Sequence, residues 1–427
     1  MKCHYACNSP EHAIARRDFL GTLAAGAGTV AGLNALVHPA TAAKIAAKKK
    51  RILSIFLSGG VSQFESWDPK PKVKTGGPFR AIPTSVPGTH ICELLPKTAK
   101  LMDRISLIRS INTQSNAHDL SRYKMETGHP KTATIDYPHL GAVVAKGLEE
   151  DSALMPGHIH VSGGAGSRSS NSTYLGPKYA SIGVGTNGGL KNSELPGGLT
   201  ATIDDQRQAF RRKTNERFLE RRRTAETDAY VQSYEQALQL VKQRDMFDVT
   251  KEPAALAEKY GGFDLGKQCL LARRLLEGDI SYVQVSHSNY DTHAENFNFH
   301  IEQLGEFDQA YSALIDDLSE RGMLDSTLVV VLSEFGRTPN INQYYGRDHW
   351  GKSFSIALAG CGIQPGAVIG ATNKEGTEVS DREVSAADLF HTYLRAVGLD
   401  STGDFLIGGR SVPLADPTGH AIEELLS

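Results

Sequence analysis

Two histidine-containing motifs beyond apolar runs carry residue types that bind divalent metals. Asp291-x-His293 follows one such run, and Asp348-His349 lies beyond another run that leads into Glu334. Carboxylate oxygens and imidazole nitrogens form the mixed ligand set that zinc and manganese accept. A cation held by such a set polarises the oxygens of an ester and lowers the pKa of a bound water. We therefore predict a divalent metal site here, for zinc, manganese or calcium.

Two arginines provide candidate anion-binding groups. Arg122 and Arg337 each follow a predicted strand, and a guanidinium group can clamp a tetrahedral oxyanion through two parallel hydrogen bonds. Ser121, beside Arg122, is either a nucleophile or the cap of the helix that follows it. These residue types together suit metal-assisted cleavage of an ester.

Six runs of strand-forming residues must position these side chains. They lie at 52–60, 104–111, 158–163, 281–287, 326–335 and 353–360. Helical patterns alternate with them at 137–149, 267–277, 297–321 and 385–397. Strands separated by helices imply crossover connections, so we predict an α/β fold with a mainly parallel sheet sandwiched by helices. The polar clusters follow four of these strands, and the carboxyl ends of parallel strands form one common edge.

A long polar segment interrupts this alternation at 204–259. It is rich in Arg, Glu, Gln and Ala, which predicts a helical insertion packed beside the sheet. Its basic runs alternate with glutamates, a pattern typical of a solvated helix face rather than of a nucleic-acid site. The formal net charge of −2 gives no electrostatic reason to expect a nucleic-acid partner.

The N-terminal segment has the features of an export signal. Arg16-Arg17 precedes an uncharged run rich in glycine and alanine and then a small-residue site at 40–42. This pattern predicts a twin-arginine signal peptide at 1–42, a mature domain at 43–427 and the twin-arginine translocase as a transient partner. The run is too weakly hydrophobic for a good membrane span, and no second run approaches membrane length. We therefore expect a periplasmic or secreted protein without a permanent span.

Four motifs, "SGGVSQFESWDPKP", "DTHAENF", "SEFGRTPNIN" and "GRDHWG", resemble the exported bacterial family called domain of unknown function 1501. That family is similar in fold to the alkaline phosphatase and sulfatase superfamily. The resemblance implies two ions at the carboxyl edge of the sheet, with Glu65 as the acid from the first-strand loop. It also implies one ion held by Asp291, His293 and His349. At the second ion, Glu334-Phe335 stands where the superfamily usually has an Asp-His pair.

The segment "HDLSRYKMETG" resembles the sulfatase signature in spacing, with Ser121 and Arg122 in register. His118 then occupies the position of the sulfatase cysteine that becomes formylglycine, so the resemblance excludes a formylglycine mechanism. It leaves His118 as a metal ligand, a phosphoryl acceptor or a general acid.

These residues are consistent with two alternative functions. The first is an exported metal-dependent hydrolase of phosphate or sulfate esters, acting on a small molecule or a polysaccharide, with His118, Arg122 and Arg337 as catalytic groups. The alternative is a non-catalytic envelope module that binds an anionic polysaccharide. The histidine missing at position 335 and the lack of a hydroxyl or thiol at position 118 favour the alternative.

Overall fold

The computed structural model describes residues 49–149, 153–162, 171–186, 194–221 and 225–427. The predicted signal peptide at 1–42 lies outside these residues. From Lys50 onward the chain forms one compact unit. Within the described ranges, no helix is both long and apolar enough to cross a membrane.

An eight-stranded sheet forms the centre of the molecule. The described strands of the whole molecule, eight of which form this central sheet and the others four two-stranded sheets, are in chain order β1 (Arg51–Leu57), β2 (Ala81–Pro83), β3 (His90–Cys92), β4 (Ile105–Ile111), β5 (His158–Ser162), β6 (Ile182–Gly185), β7 (Tyr282–His287), β8 (Thr327–Leu332), β9 (Gly336–Arg337), β10 (His349–Trp350), β11 (Phe354–Gly360), β12 (Val368–Ile369), β13 (Ala371–Thr372), β14 (Val379–Asp381), β15 (Asp404–Ile407) and β16 (Arg410–Pro413). The order in the central sheet is β12-β4-β11-β8-β1-β7-β5-β6. Among the described strands of this sheet, only β11 runs antiparallel to its neighbours. The predicted mainly parallel α/β fold is confirmed, and all six predicted runs contribute strands to this sheet.

Helices cover both faces of the sheet. In chain order they are α1 (His118–Thr127), α2 (Leu140–Leu148), α3 (Ala201–Arg221), α4 (Ala225–Lys242), α5 (Ala254–Tyr260), α6 (Asp264–Glu277), α7 (Asn296–Glu320) and α8 (Ala386–Ala396). The four predicted helical patterns correspond to α2, α6, α7 and α8. Side chains alternate across β1, so Ile55 packs with α6 and α7 on one face while Phe56 packs with α2 and α8 on the other. Burial on both faces explains why the strands are almost continuously apolar.

The polar segment at 204–259 contains most of α3, all of α4 and part of α5. Arg211 and Arg212 of α3 both form ion pairs with Glu235 of α4, so these two helices pack against each other. Part of the basic run is therefore neutralised within the protein.

Candidate metal centre

Loops after three strands of the sheet, together with a small hairpin, bring the site residues to one edge. Asp291 and His293 lie in the loop after β7, and Glu334 follows β8 almost directly. His118 is the first residue of α1, in the connection after β4. His349 belongs to the two-residue strand β10, which pairs with β9 just beyond Glu334. The sheet edge thus collects residues that are far apart in the sequence.

Hydrogen bonds join the loop after β7 to the loop before β10. The Arg347 backbone N–H donates to the Thr292 carbonyl at 3.0 Å, and the Asn342 side-chain amide donates to the His293 carbonyl at 2.9 Å. These contacts fix the two histidine-bearing loops relative to each other.

Asp291 lies at the centre of the cluster. One carboxylate oxygen, Oδ1, is 3.0 Å from His349 Nε2 and 3.2 Å from His293 Nε2, and the other, Oδ2, is 3.4 Å from His118 Nε2. His118, Asp291 and His349 form a group in which three ligand atoms all lie within 4.8 Å of one another. His293 joins this group through its contacts with Asp291 and His349.

Each of the three imidazoles has an acceptor at Nδ1. His118 Nδ1 lies 2.9 Å from a Glu334 carboxylate oxygen and His293 Nδ1 lies 2.7 Å from an Asp348 oxygen. His349 Nδ1 lies 2.8 Å from the backbone carbonyl of Asn116. Because a carbonyl or an ionised carboxylate only accepts, these partners assign the N–H to Nδ1 in a neutral ring. The Nε2 atoms then carry lone pairs.

Three lone pairs and one carboxylate therefore converge on the same space. The Nε2 atoms of His293 and His349 are only 2.9 Å apart, and neither has a proton to donate when both rings are neutral. Such an arrangement is repulsive unless a cation or an extra proton lies between the groups. The donor chemistry fits a divalent metal, and imidazole ligands fit zinc or manganese better than calcium, which prefers an all-oxygen set.

Arg337 controls the charge of Asp291. Burial alone would raise the pKa of the Asp291 carboxyl, but the hydrogen bond and the positive charge of Arg337 outweigh it and hold this pKa at about 2. The Arg337 Nη2 atom donates to Asp291 Oδ1 at 2.7 Å. The carboxylate consequently stays ionised throughout the neutral range.

The placement of Arg337 corrects the prediction that it clamps a substrate oxyanion. Its side chain is fully buried, and besides Asp291 its guanidinium donates to the carbonyls of Gly59, Gly60 and Arg347. A buried guanidinium engaged in this way cannot reach a ligand at the cluster. Its role in the structure is to hold Asp291 and the turn after β1 in place.

Glu334 and Asp348 support the histidines rather than joining the group of ligand atoms. Glu334 is almost completely buried and also accepts hydrogen bonds from the Gly59 N–H at 2.9 Å and the Ser333 hydroxyl at 3.0 Å. These bonds leave its carboxylate directed at His118. Carboxylates in this outer position fix the orientation of a ligand ring and increase its basicity.

Glu65 is not brought to the cluster. It is fully buried, with one oxygen 2.9 Å from Arg347 Nη2 and the other 3.0 Å from the Asn296 side-chain amide. Its prediction as a metal ligand is corrected for this reason, since both oxygens are engaged in a buried ion pair. Burial raises the pKa of Glu65, but Arg347 and then His300 outweigh it, so the net pKa lies below its ordinary value of 4.5.

Phe335 fills the position where the family resemblance places the histidine of a second metal site. Its ring is fully buried, stacks on His349 at 4.4 Å between centroids and contacts His118 at 4.9 Å. A Cβ added at Gly60, where φ is +89°, would lie 2.6 Å from this ring, so only glycine permits the close turn after β1. The aromatic ring therefore packs against the imidazole rings of both His118 and His349.

Arg122 and Ser121 lie on α1, next to His118. The Ser121 hydroxyl is buried and donates to the Ser115 carbonyl at 2.9 Å, which assigns it a structural role rather than that of a nucleophile. The Arg122 side chain is 42% exposed, and its Nε donates to Glu126 at 3.2 Å. Unlike Arg337, Arg122 is accessible to a ligand.

Sequence reasoning missed three contributors to the site. Arg347 directly precedes the Asp348-His349 motif, but its buried side chain pairs with Glu65. No local sequence pattern indicates this distant partner. Asn116 acts through its backbone carbonyl, for which a side-chain motif gives no signal. Gly59, in the turn after β1, lies close to Asp291 only because of the tertiary fold.

Solved structures with similar folds belong to the alkaline phosphatase superfamily or include periplasmic domains. A protein of that superfamily from Vibrio parahaemolyticus is 13% identical, with 83% of this chain and 67% of that chain covered and a TM-score of 0.39. The lipoteichoic acid synthase LtaP from Listeria monocytogenes is 10% identical, with 87% and 76% covered and a TM-score of 0.39. The zinc complex of the C-terminal periplasmic domain of EcEptC from Escherichia coli is 10% identical, with 82% and 83% covered and a TM-score of 0.40. Similarities this low assign no activity to the chain.

The sequence itself identifies the family. No curated protein matches the chain. The family described as "Protein of unknown function (DUF1501)" matches residues 49–426, which confirms the resemblance seen in the four motifs, and the chain belongs to this family.

Proposed function

We propose that this protein is a metal-dependent hydrolase of phosphate or sulfate esters. The observation that carries the proposal is the convergence of three imidazole Nε2 atoms on the Asp291 carboxylate, each ring having its Nδ1 held by an acceptor. Metal-binding histidines have this arrangement because the outer acceptor fixes the tautomer that coordinates.

Asp291, His293 and His349 would hold the ion. His349 Nε2 lies 3.0 Å from Asp291 Oδ1 and 2.9 Å from His293 Nε2. His293 Nε2 is also nearer to Asp291 than His118 Nε2 is, at 3.2 Å against 3.4 Å. A divalent ion bound there would supply Lewis-acid polarisation of an ester oxygen and a more acidic water. The remaining residues bind the substrate or move protons.

His118 is the group we assign to proton transfer. Its Nε2 makes the longest contact with Asp291, and its side chain is 38% exposed, so it can meet a substrate. Glu334 holds its Nδ1–H, which leaves Nε2 free to accept a proton and later return it to a leaving group.

Arg122 is the group we assign to the oxyanion. It lies one helical turn beyond His118 on α1, a rise of about 6 Å, and its guanidinium is partly exposed. A planar guanidinium binds two oxygens of a phosphate or sulfate group at once. Because Ser121 is buried, attack by water is more consistent with this site than attack by a serine.

Elemental analysis of the purified protein, combined with a double substitution, tests the proposal. Changing both His293 and His349 to alanine should abolish retention of a stoichiometric metal, whereas His90→Ala, an exposed histidine outside the cluster, should not change metal content. The metal-containing protein should then hydrolyse members of a panel of phosphate and sulfate esters. Undiminished metal in the double variant would refute the assignment.

A non-catalytic module that binds an anionic polysaccharide is the second candidate. Phe335 favours it, because the ring occupies the place of a second-site imidazole and leaves donors for one ion only. Tight binding of a sulfated glycan without any turnover would support this candidate. Metal-dependent hydrolysis of any ester in the panel would exclude it.

We also propose that residues 1–42 are a twin-arginine signal and that 43–427 is the mature, periplasmic or secreted domain, with 204–259 as its helical insertion. The proposal rests on Arg16-Arg17 and the small residues at 40–42. Changing both arginines to lysine should keep the protein in the cytoplasm. N-terminal sequencing of the exported protein should find a start near residue 43, and export of the lysine variant would contradict the proposal.

A further inference from the structure

The sheet face beneath α1 is polar at the two strands where the opposite face is apolar. On the opposite face β5 and β7 contribute four fully buried apolar side chains, Ile159, Val161, Val283 and Val285. On the α1 face the alternate positions are His158, His160, Gln284 and Ser286. A sheet face covered by helices is normally apolar, so polar side chains at these positions need hydrogen-bond partners.

The polar strip forms a connected network with α1. His160 Nε2 lies 2.9 Å from the Ser286 hydroxyl, and Gln284 donates to Glu126 at 3.4 Å. The other Glu126 oxygen lies 3.5 Å from His139 Nδ1. We call these residues, together with Arg122, the α1 groove.

The α1 groove adjoins the metal centre. His118, Arg122 and Glu126 are spaced four residues apart, so they lie along one face of α1. With a rise of 1.5 Å per residue, Arg122 and Glu126 lie about 6 Å and 12 Å along the helix from His118. This span matches the length of a sugar ring extending from a phosphate or sulfate group held at the cluster.

The groove is accessible and carries little net charge. The side chains of Arg122, His139 and Glu126 are 42%, 26% and 11% exposed. Arg122 and Glu126 form an ion pair, and burial lowers the pKa of His139 and of His160, which keeps both rings neutral. Within the described residues these donors also do not form a second group close enough to hold a metal. Neutral donors and acceptors of this kind suit hydroxyl groups rather than a second anion or cation.

We propose that the α1 groove binds the hydroxyl-bearing alcohol part of the ester, a sugar, while the metal centre holds its phosphate or sulfate. This inference rests on the proposed function, because the metal centre must anchor the anionic end. Glu126 accepts hydrogen bonds from the sugar, and Ser286 and His160 donate and accept further along the strip.

Calorimetric binding to the metal-loaded protein tests the groove. The probes are methyl phosphate and the 6-phosphates of glucose, galactose and mannose. At least one hexose phosphate should bind ten times more tightly than methyl phosphate. The double variant H160A/S286A, which leaves the Arg122–Glu126 ion pair in place, should lose most of this preference while its metal content and its affinity for methyl phosphate stay unchanged. The control variant Glu258→Gln, at an exposed position on α5, should keep the preference.

The outcomes separate the groove from the metal centre. If methyl phosphate and all three hexose phosphates bind equally, or if the double variant keeps the preference, the groove proposal is refuted and the metal centre stands. If the protein binds none of the phosphates, the groove proposal is refuted, and the metal analysis and the ester panel, which includes sulfates, decide the metal centre separately.

Discussion

Replacing Glu65 tests whether its carboxylate supports the fold rather than a metal. Glu65 and Arg347 are both fully buried, with 2.9 Å between Oε1 and Nη2, and the second oxygen of Glu65 accepts from Asn296 at 3.0 Å. Removing one partner of a buried pair leaves the other charge uncompensated and typically costs about 3–5 kcal/mol. Glu65→Gln keeps an acceptor for Asn296, so we expect the lower end, about 3 kcal/mol, and Glu65→Ala should reach the upper end.

Urea denaturation measures the free energy of unfolding, and elemental analysis of the same samples measures the metal content. Glu65→Gln should lower the free energy of unfolding while the folded protein keeps its metal. The exposed Glu375→Gln is the control and should change neither quantity. The double variant E65L/R347M should cost less than the sum of the two single substitutions, because it removes both charges together.

The pH dependence of the free energy of unfolding is a second test of the role of Glu65. Since the pKa of Glu65 in the folded protein lies below its ordinary value of 4.5, its stabilising contribution is present above that pH. The contribution is lost as the pH falls through the lowered pKa, and E65Q should lack this component of the acid loss. Near-normal stability combined with loss of the metal in E65Q would refute the structural role and make Glu65 a ligand.

Three further expectations concern a carboxylate that supports the site, a glycine beside it, and four buried histidines. Asp348→Asn should weaken zinc binding about 10- to 100-fold, because the ligand His293 loses its charged acceptor; competition with a chelating dye measures this, and unchanged affinity would contradict it. A Cβ at Gly59 would lie 2.4 Å from the Asp291 backbone nitrogen, so Gly59→Ala should also weaken zinc binding in that assay. Gly88→Ala, likewise at positive φ but with open space around it, should cost only about 1 kcal/mol of stability and leave zinc affinity unchanged. Finally, burial lowers the pKa of four histidines from 6.5 to about 3 or 4, so the unfolded chain takes up protons first as the pH falls. Zinc-free protein should therefore lose stability below pH 6.5, by up to about 1.4 kcal/mol per pH unit for each such histidine, and a flat urea midpoint from pH 7 to pH 5 would be inconsistent with this. The four histidines with a lowered pKa are His129, His158, His287 and His300.

The sheet was predictable because its strands carry a local signal. Burial on both faces makes the central strands continuously apolar, and the helices between them repeat their apolar residues at helical spacing. The structure adds β6 and β12, which sequence reasoning missed. The first is half glycine and the second has only two residues, so neither forms a recognisable apolar run.

The gathering of site residues followed from the same logic, but their individual roles did not. Glu334 and Arg337 leave the same strand three positions apart, yet one holds His118 and the other holds Asp291. A sequence pattern gives the residue type and the sheet edge it reaches. Which partner neutralises a buried charge depends on long-range contacts, as the pairing of Glu65 with Arg347 shows.

The central position of β1 affects how the chain can fold during synthesis. β1 is the first of the described strands to leave the ribosome, but both its neighbours, β7 and β8, are made only after residue 281. Both of its hydrogen-bonding edges therefore stay open while most of the chain is synthesised, and closing such distant contacts is slow. Unpaired apolar strands are prone to aggregate. Newly made chains should consequently depend on chaperones until the last third of the protein has emerged.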